Sequence, residues 1–255
     1  MILRRLSQSL NAQNWTAIVI EFILLVSGVF LGIQVANWNA ARQDKKLEGE
    51  YIARLSHDFD AIDARLTDNT SRWSQKSAAP LRLLSDLDAF RQYRRWSRTK
   101  AQVLADLNET FNYRIPAPRA ATYIELLSAG RLGLIGNTKL RDALMAYDIQ
   151  VGYTQTAFNV LAQRVEPLMG TIVSHLEFDR SLGAPKPEAA TLAESVWSDV
   201  DLEQLAAEPK LKMTLNMFAN ASRNQLLVAE LQQEKARTVL ALLKSGARRT
   251  GDDAR

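Results

Sequence analysis

The run from Ala17 to Ala36, AIVIEFILLVSGVFLGIQVA, constrains this chain more than any other part of its sequence. Glu21 is the one charged residue in the run, and Ser27 and Gln34 are its other polar side chains. A helix of about 20 apolar residues, rising 1.5 Å per residue, matches a hydrocarbon core of roughly 30 Å. We therefore predict a transmembrane helix over residues 14–38, preceded by a short tail over 1–13.

Two other interpretations of this run are a buried core helix and a cleaved signal peptide. A core helix fits less well, because the run is apolar on every face over its full length. A signal peptide has a shorter apolar region, roughly 7–15 residues, and then a small-residue cleavage site, and Val35-Ala36-Asn37-Trp38 is a poor one. Trp15 and Trp38 bracket the run, as interfacial aromatic anchors do. The sequence thus predicts an uncleaved, single-pass anchor with membrane lipid as its surroundings.

One face of the predicted anchor combines an acid with small residues. Glu21, Gly28, Gly32 and Ala36 share this face, because seven residues make nearly two helical turns. A Gly-x-x-x-Gly pair lets another helix approach closely, although glycines are also common in membrane helices in general. Glu21 could instead snorkel to the interface. We predict association through Gly28 and Gly32, with a second copy or another membrane protein, and Glu21 pairing across that contact.

The orientation of the anchor depends on its flanking charges. Arg4 and Arg5 precede the run without any acid before Glu21, whereas the downstream flank mixes bases and acids. Counting Lys and Arg alone slightly favours a cytoplasmic main domain, but large domains cross regardless of charge and a short basic tail resists crossing. We predict an N-terminus inside and a periplasmic main domain, at a bacterial inner membrane.

Apolar residues follow the anchor at alternating spacings of three and four, which is the spacing of a coiled-coil seam. Charged and hydroxyl side chains fill the positions between them. The pattern predicts that the anchor continues as one long helix to about Trp73. The members of this seam are Ile52, Leu55, Phe59, Ile62, Leu66, Asn69 and Trp73.

Proline, glycine and capping residues predict the boundaries of the remaining helices. A second helix should begin at Pro80, and the arginine-rich segment 94–98 should end it. Asn137 or Thr138 should begin a long helix, to about Phe178. The other expected boundaries are a cap at Ser97 or Thr99, a stop over 115–118, a left-handed C-cap at Gly130, a linker over 182–187, a short helix over 202–207, and a last helix from Pro209 to Leu243.

The composition agrees with a helical fold. Gly (11) and Pro (7) are few, whereas Ala, Leu, Arg, Gln and Glu, which lose little on entering a helix, are plentiful. No strand alternation, hairpin signal or internal repeat is evident. We predict an all-α protein whose single N-terminal transmembrane helix continues into an antiparallel helical bundle. This bundle of four or five principal helices should cover 39–245, and a disordered tail should cover 246–255.

Residues suited to catalysis or metal binding do not converge in the sequence. The absence of cysteine excludes disulfides, thiolate metal sites and cysteine nucleophiles. His57 and Asp58 are adjacent, and His175, Glu177 and Asp179 alternate, so on a helix the neighbouring members point apart. We predict no catalytic residue, no metal site and no cofactor.

Two further motifs have ordinary structural explanations. Gly130, Gly133 and Gly136 form neither a Walker A loop nor a dinucleotide loop, and favour a compact connection between helices. The segment Tyr93–Lys100 is basic and aromatic and could contact nucleic acid or anionic lipid, but a solvated loop explains it as well. The net charge of +4 is modest, and we predict no nucleic-acid partner.

The stretch EFILLVSGVFLGIQVANWNAARQDKKLEGEYIARLSHDF resembles the opening of an uncharacterised bacterial family of small, N-terminally anchored, single-pass membrane proteins. In that family a glutamate starts the span, Asn-Trp-Asn closes it, and a Tyr-x-x-x-Leu-x-x-Asp helix follows. The corresponding residues are Glu21, Asn37, Trp38, Asn39, Tyr51, Leu55 and Asp58.

The stretch ATYIELLSAGRLGLIGNTKLRDALMAYD is similar to a second signature of that family, a Leu-x-Ser-x-Gly-x-Leu turn before a helix. Ala129 stands where a second serine is common. The resemblance covers about a third of the chain and implies the architecture, but no activity, because the family is a domain of unknown function. The matching residues are Leu126, Ser128, Gly130, Leu132, Leu140 and Tyr147.

Two functions therefore remain from the sequence. The first is a non-enzymatic, membrane-anchored module that oligomerises or scaffolds a partner in the envelope. The second is a sensor-like bundle that binds a small ligand between helices, with Arg119, Tyr123 and Arg131 as candidate polar groups and a membrane partner to relay the signal. An enzyme using scattered carboxylates is a weaker third hypothesis, since no shared cleft is evident.

Overall fold

The computed structural model describes residues 15–111, 116–179 and 197–252, with side chains over 19–111, 116–179 and 197–246. Over these residues the protein is all-α, as predicted, apart from a pair of short strands. The chain forms two compact units, Met1–Tyr51 and Ile52–Arg255. The elements are α1 (Trp15–Tyr93), α2 (Lys100–Phe111), α3 (Ala121–Ser128), α4 (Thr138–Val173), β1 (Leu176–Phe178), β2 (Trp197–Val200), α5 (Leu202–Ala207) and α6 (Leu211–Asp252).

Within the second unit, α6 runs antiparallel to α1. Arg237 pairs with Asp63 at 3.2 Å, and Lys212, earlier in α6, pairs with Asp88, later in α1, at 2.8 Å. An earlier residue of α6 thus contacts a later residue of α1, as it does when two helices run in opposite directions.

Helix α4 runs in the same direction as α1. The rings of Phe59 and Tyr147 meet edge to face at 4.9 Å, and those of Trp73 and Phe158 meet at 5.0 Å. Such aromatic pairs add to the stability gained from burial alone.

The fourth layer consists of two short helices, α2 and α3, that both run back along α1. Arg82 binds Asp106 of α2, whereas Asp58, much earlier in α1, accepts a hydrogen bond from the backbone N–H of Thr122 in α3 at 2.8 Å. The second unit is therefore an up-down-up-down bundle, in agreement with the predicted antiparallel bundle, with one layer divided in two.

The predicted helix start at Pro80 is wrong, because α1 continues through this proline to Tyr93. A proline in a helix interior removes one backbone hydrogen bond and crowds the preceding turn. Pro80 and its neighbour Ala79 are both buried, and Leu83 and Leu87 pack into a core with Leu107 of α2. Burial of the flanking turns compensates for the local cost.

Local capping decides the connection from α1 to α2. Arg94 adopts a left-handed backbone, with φ of 56°, and ends α1 as predicted. Of the two expected caps it is Thr99 that begins α2: its Oγ1 accepts from the Gln102 N–H at 3.3 Å, and Gln102 Oε1 accepts from the Thr99 N–H at 3.0 Å. This reciprocal pair is a capping box.

Helix α3 ends in a Schellman motif at the predicted glycine. The N–H of Gly130 donates to the Leu127 carbonyl at 3.1 Å, and the N–H of Arg131 donates to the Leu126 carbonyl at 2.8 Å. Gly130 has φ of 65°, which a residue without Cβ adopts at little cost. A 3-10 turn over Leu132–Leu134 follows, and Asn137 caps α4 through the Leu140 N–H.

Helix α4 ends at Val173 rather than at the predicted Phe178. The residues beyond it form β1, which pairs antiparallel with β2 through Leu176 and Val200, so the expectation of no strands is also wrong. Strands of three and four residues are too short for an alternating pattern to reveal them. Asn108 of α2 holds this ribbon by bonding the backbone N–H and carbonyl of Trp197, each at 3.0 Å.

The last helix also differs from its predicted limits. It begins at Leu211, after Pro209, and continues to Asp252 instead of ending at Leu243, so residues 246–252 of the predicted disordered tail are helical. The tail contains Ala and Arg, and each of its two glycines, Gly246 and Gly251, costs only about 1 kcal/mol in a helix. The short helix over 202–207 is confirmed. The predicted tail over 1–13, the linker over 182–187 and the start of the stop at Ile115 lie outside the described residues.

Candidate functional site

The most apolar segment of the chain is not covered by any of the described residues. An 18-residue window at the beginning of α1 has a mean hydropathy of 2.2, and none of it is buried in the structure. Phe22, Leu24 and Leu25 are each about two-thirds exposed. This part of α1 is long and apolar enough to cross a membrane.

The predicted association face lies open on this segment. Glu21, Gly28, Gly32 and Ala36 are all exposed, and a Cβ built on either glycine would have no described atom within 4 Å apart from the adjacent backbone of its own helix. A second helix would therefore meet no steric obstacle over the glycines. The structure places these four residues on one helix.

Of the two predicted interfacial anchors, the structure describes the side chain of Trp38. Trp38 is 66% exposed, and the Arg42 guanidinium lies 5.9 Å from the centre of its ring, within the range of a cation–π contact. The side chain of Trp15 lies outside the described side chains. Trp38 and Arg42 together place an aromatic ring and a cation one helical turn apart just after the apolar run.

The seam of α1 faces the interior of the bundle. Leu55, Phe59 and Leu66 are fully buried, Ile62 and Trp73 are nearly so, and Ile52 is half-buried. Asn69, the polar member, is also buried. The apolar members of the seam therefore form part of the hydrophobic core of the bundle.

The two stretches that carry the family resemblance meet in the structure. Asp58, from the first stretch, accepts the Thr122 N–H of the second, and Ala120, the N-cap residue of α3, provides no side-chain cap of its own. Arg54 binds Glu125 nearby through Nη1 and Oε1 at 3.2 Å. The aspartate of the first signature therefore caps the helix that leads into the second.

An ionic cluster around two buried aspartates, which we name the Arg82–Asp106 cluster, joins α1, the segment after it and α2. Asp106 binds Arg82 Nε at 2.9 Å and Arg98 Nη1 at 2.8 Å. Asp86 binds Arg98 Nε at 2.8 Å and accepts a hydrogen bond from Ser97. Asp86 and Asp106 are 2% and 6% exposed, so their charges are compensated inside the fold.

The cluster changes the properties of its arginines. The hydrogen bond to Asp106 raises the pKa of Arg82, and the hydrogen bond to Asp86 raises the pKa of Arg98. Sequence reasoning missed this cluster, since its members are up to 24 positions apart and share no motif. The basic residues of the segment Tyr93–Lys100 therefore differ in their surroundings. Arg98 is paired within the cluster and Lys100 pairs with Asp199, whereas Arg94 and Arg95 are exposed.

Two of the three candidate polar groups of a ligand sensor, Arg119 and Tyr123, lie near the same carboxylate, that of Asp148. Arg119 binds Asp148 through Nη2 and Oδ2 at 2.7 Å, and this pairing raises the pKa of Arg119. Tyr123 is 4% exposed, and burial raises its pKa. The Arg131 side chain is exposed after α3. Arg119 is thus held by an ion pair, and Tyr123 is held by burial.

A surface pocket of about 470 Å³ lies beside the β-ribbon. His175, Glu177, Asp199 and Lys100 are among its lining residues. The hydrogen bond from Lys100 lowers the pKa of Asp199, and His175 Nε2 lies 3.8 Å from a carboxylate oxygen of Glu208. Among the described residues, no group of three or more His, Cys, Asp or Glu side chains is arranged to hold a metal ion.

The remaining motif residues stand apart from this pocket. His57 is exposed on α1. Gly130 ends α3 and Gly133 lies in the 3-10 turn after it, as expected for a connection between helices.

The chain matches no protein-family model, no curated protein and no solved structure.

Proposed function

We propose that this chain is a single-pass protein of the bacterial inner membrane whose helical bundle oligomerises or scaffolds a partner, without catalysis. The observation that carries the proposal is the exposed apolar segment of α1. Leaving so many large apolar side chains in water is unfavourable by about 25 cal/mol per Å², and a bilayer removes that cost.

The association face supports a role in assembly. Gly28 and Gly32 allow close packing with another membrane helix, and Glu21 on the same face favours a polar partner over lipid. The partner is a second copy or another membrane protein. The sequence flanks favour a periplasmic bundle, since Arg4 and Arg5 tend to remain inside.

A non-catalytic role agrees with the state of the buried carboxylates. Asp86 and Asp106 are bound by Arg82 and Arg98, so their acceptor oxygens serve the fold. In the surface pocket beside the β-ribbon, which a substrate could reach, Asp199 is likewise paired with Lys100, and Asp201 accepts the backbone N–H groups that begin α5.

Extraction of native membranes tests the anchor. The full chain should stay in the membrane pellet through alkaline carbonate, and a variant lacking residues 15–38 should be released. Release of the full chain by carbonate would overturn the proposal. Protease protection of the bundle in spheroplasts tests orientation, because a periplasmic bundle is digested before the inner membrane is opened.

Substitution on the association face tests the assembly role. Gly28→Ile and Glu21→Gln should each reduce energy transfer between two differently labelled copies, or recovery of the cross-linked partner. Val26→Ile lies on the opposite side of the helix and is the matched control. If both face variants behave like the control, association through this face is excluded. A small molecule that co-purifies with the bundle would favour the sensor alternative.

A further inference from the structure

The outward side of α4 is apolar along its middle. Met145, Ile149, Tyr153 and Val160 are 46, 57, 67 and 40% exposed. At about 100° per residue they fall within roughly 100° of arc, on the far side of α4 from its buried residues. We name this surface the outer face of α4; it comprises Met145, Ile149, Gly152, Tyr153, Thr156 and Val160.

This part of α4 also lacks charge. No Asp, Glu, Lys or Arg occurs between Asp148 and Arg164. The outward side of a surface helix is ordinarily charged or polar, and a helix that is apolar all round is ordinarily covered on all sides.

Helix α6 provides the contrast within the same bundle. Its exposed Leu227 and Leu231 lie among Arg223, Glu230 and Glu234. Apolar residues scattered singly among charges are normal on a protein surface. The outer face of α4 is different, because from Ile149 to Val160 its exposed apolar side chains have no charged residue of the helix between them.

We propose that the outer face of α4 is the surface through which two copies of this chain pair. In a two-fold pair the same patch lies on both sides, so any charge near the axis meets its own copy and is repelled. An uncharged face is complementary to itself. A charged partner, by contrast, would leave its charges desolvated and unpaired against this face.

The shape of the face suits a second helix. A Cβ built on Gly152 has no described atom within 4 Å apart from the adjacent backbone of α4, and Thr156, one turn later, is also small. The larger Ile149, Tyr153 and Val160 flank this shallow strip. Small residues at the crossing and larger ones beside it allow helices to pack closely.

Pairing through this face rests on the proposed membrane anchor. The face from Met145 to Val160 extends about 22 Å along the helix, and its six residues are fewer than the roughly 20 per partner of a stable soluble interface. Anchoring both copies in one membrane raises their effective concentration. The contact is therefore expected between anchored copies.

Single-cysteine cross-linking tests the proposal, because the chain has no native cysteine. Ile149→Cys, Tyr153→Cys, Thr156→Cys and Val160→Cys are made in the full chain and treated in native membranes with a short thiol cross-linker. Gln155→Cys, exposed on α4 but beside the face, and Glu230→Cys on α6 are the controls. The face positions should give several-fold more dimer than either control.

A charge exchange separates pairing from misfolding. Ile149→Glu and Ile149→Lys, each combined with Tyr153→Cys, should reduce the dimer several-fold when expressed alone. Co-expression of the two should restore it, because opposite charges then meet across the axis. A variant that failed to fold would not be rescued in this way.

Equal dimer from face and control positions, or a face product that joins this chain to a different protein, would overturn self-pairing. Carbonate extraction of the same membranes reports on the anchor independently. A chain that stays in the pellet without face-specific dimer retains the proposed anchor and loses this inference. If carbonate releases the chain, the proposed anchor is refuted. The ratio of cross-linked dimer at face positions to that at control positions still decides whether α4 pairs.

Discussion

The phenolic oxygen of Tyr147 accepts a hydrogen bond from Nε2 of Gln232, 3.2 Å away, between α4 and α6. The hydroxyl of Tyr147 donates to the Pro118 carbonyl at 2.9 Å, and Gln232 Nε2 also donates to the Ala117 carbonyl at 3.1 Å. These bonds fasten the irregular segment before α3 to two long helices. Both side chains are almost completely buried.

Tyr147→Phe should change how stability depends on alkaline pH. Burial raises the pKa of Tyr147 to about 12 from 10.0, so the unfolded chain loses this proton first. Below about pH 10 the shifted pKa therefore contributes its full amount to the free energy of unfolding, about 3 kcal/mol at most. This contribution is lost as the pH rises from about 10 to about 12. Urea unfolding of the wild type and the variant from neutral pH upwards measures it.

We expect Tyr147→Phe to be less stable by about 1–2 kcal/mol at neutral pH, from the lost hydrogen bonds. Above about pH 10 this difference should shrink, since only the wild type has the phenol to ionise. A difference that stays constant through the alkaline range would show that Tyr147 does not ionise on unfolding.

Asp106→Asn should destabilise the bundle by about 2–4 kcal/mol. It leaves Arg82 and Arg98 with one carboxylate between them, and breaking one side of a buried charge pair costs about 3–5 kcal/mol. The partial exposure of both arginines, 46 and 25%, reduces that cost. Chemical denaturation measures the change.

The matched control for Asp106 is Asp88→Asn, which removes an exposed partner of Lys212. Exposed ion pairs contribute at most about 1 kcal/mol, so this variant should remain close to the wild type. Equal effects of the two substitutions would contradict the structural importance of the Arg82–Asp106 cluster.

Asp58→Ala should weaken the start of α3. Asp58 Oδ2 accepts the Thr122 N–H, and loss of an N-terminal cap costs about 1 kcal/mol. Asp60→Ala, which removes an exposed partner 3.5 Å from Lys244, is the control. Hydrogen exchange should increase at the first amides of α3 in Asp58→Ala alone; unchanged protection there would exclude the capping role.

Gly130→Ala should cost about 1–2 kcal/mol, because its φ of 65° is strained for a residue with Cβ. Lack of space is not the cause, because a Cβ at Gly130 would have no described atom within 4 Å apart from those of the adjacent residues. Gly133→Ala has the same room without a positive φ, and should leave the midpoint of thermal unfolding nearly unchanged. Equal shifts for the two variants would refute the backbone explanation.

The sequence predicted the features that depend on neighbouring residues. The seam of α1 was evident from its spacing, and the left-handed turn at Gly130 and the cap at Asn137 were evident from residue type. These interactions extend over a few positions. The predicted helix start at Pro80 was wrong because burial of the turns around this proline outweighed its local preference for a helix boundary.

Features that depend on distant residues were not predicted. Asp106 and Arg82 become partners only once α2 folds back along α1, and β1 exists only because β2 returns to it across a long connection. The uncharged stretch of α4 can be read from the sequence, but the sequence did not indicate which side of the helix is covered. The exposed fractions of the α4 side chains in the structure identify the covered side.

The division of one bundle layer into α2 and α3 has a consequence for how the bundle opens. The helical ladder of α2 does not continue into α3, so fraying of one need not propagate to the other. The end held by the Arg82–Asp106 cluster and the end held by Asp58 and Tyr147 can then behave as separate cooperative units, with different free energies of local opening. A partner that engages one end could loosen or tighten it while the other retains its native protection.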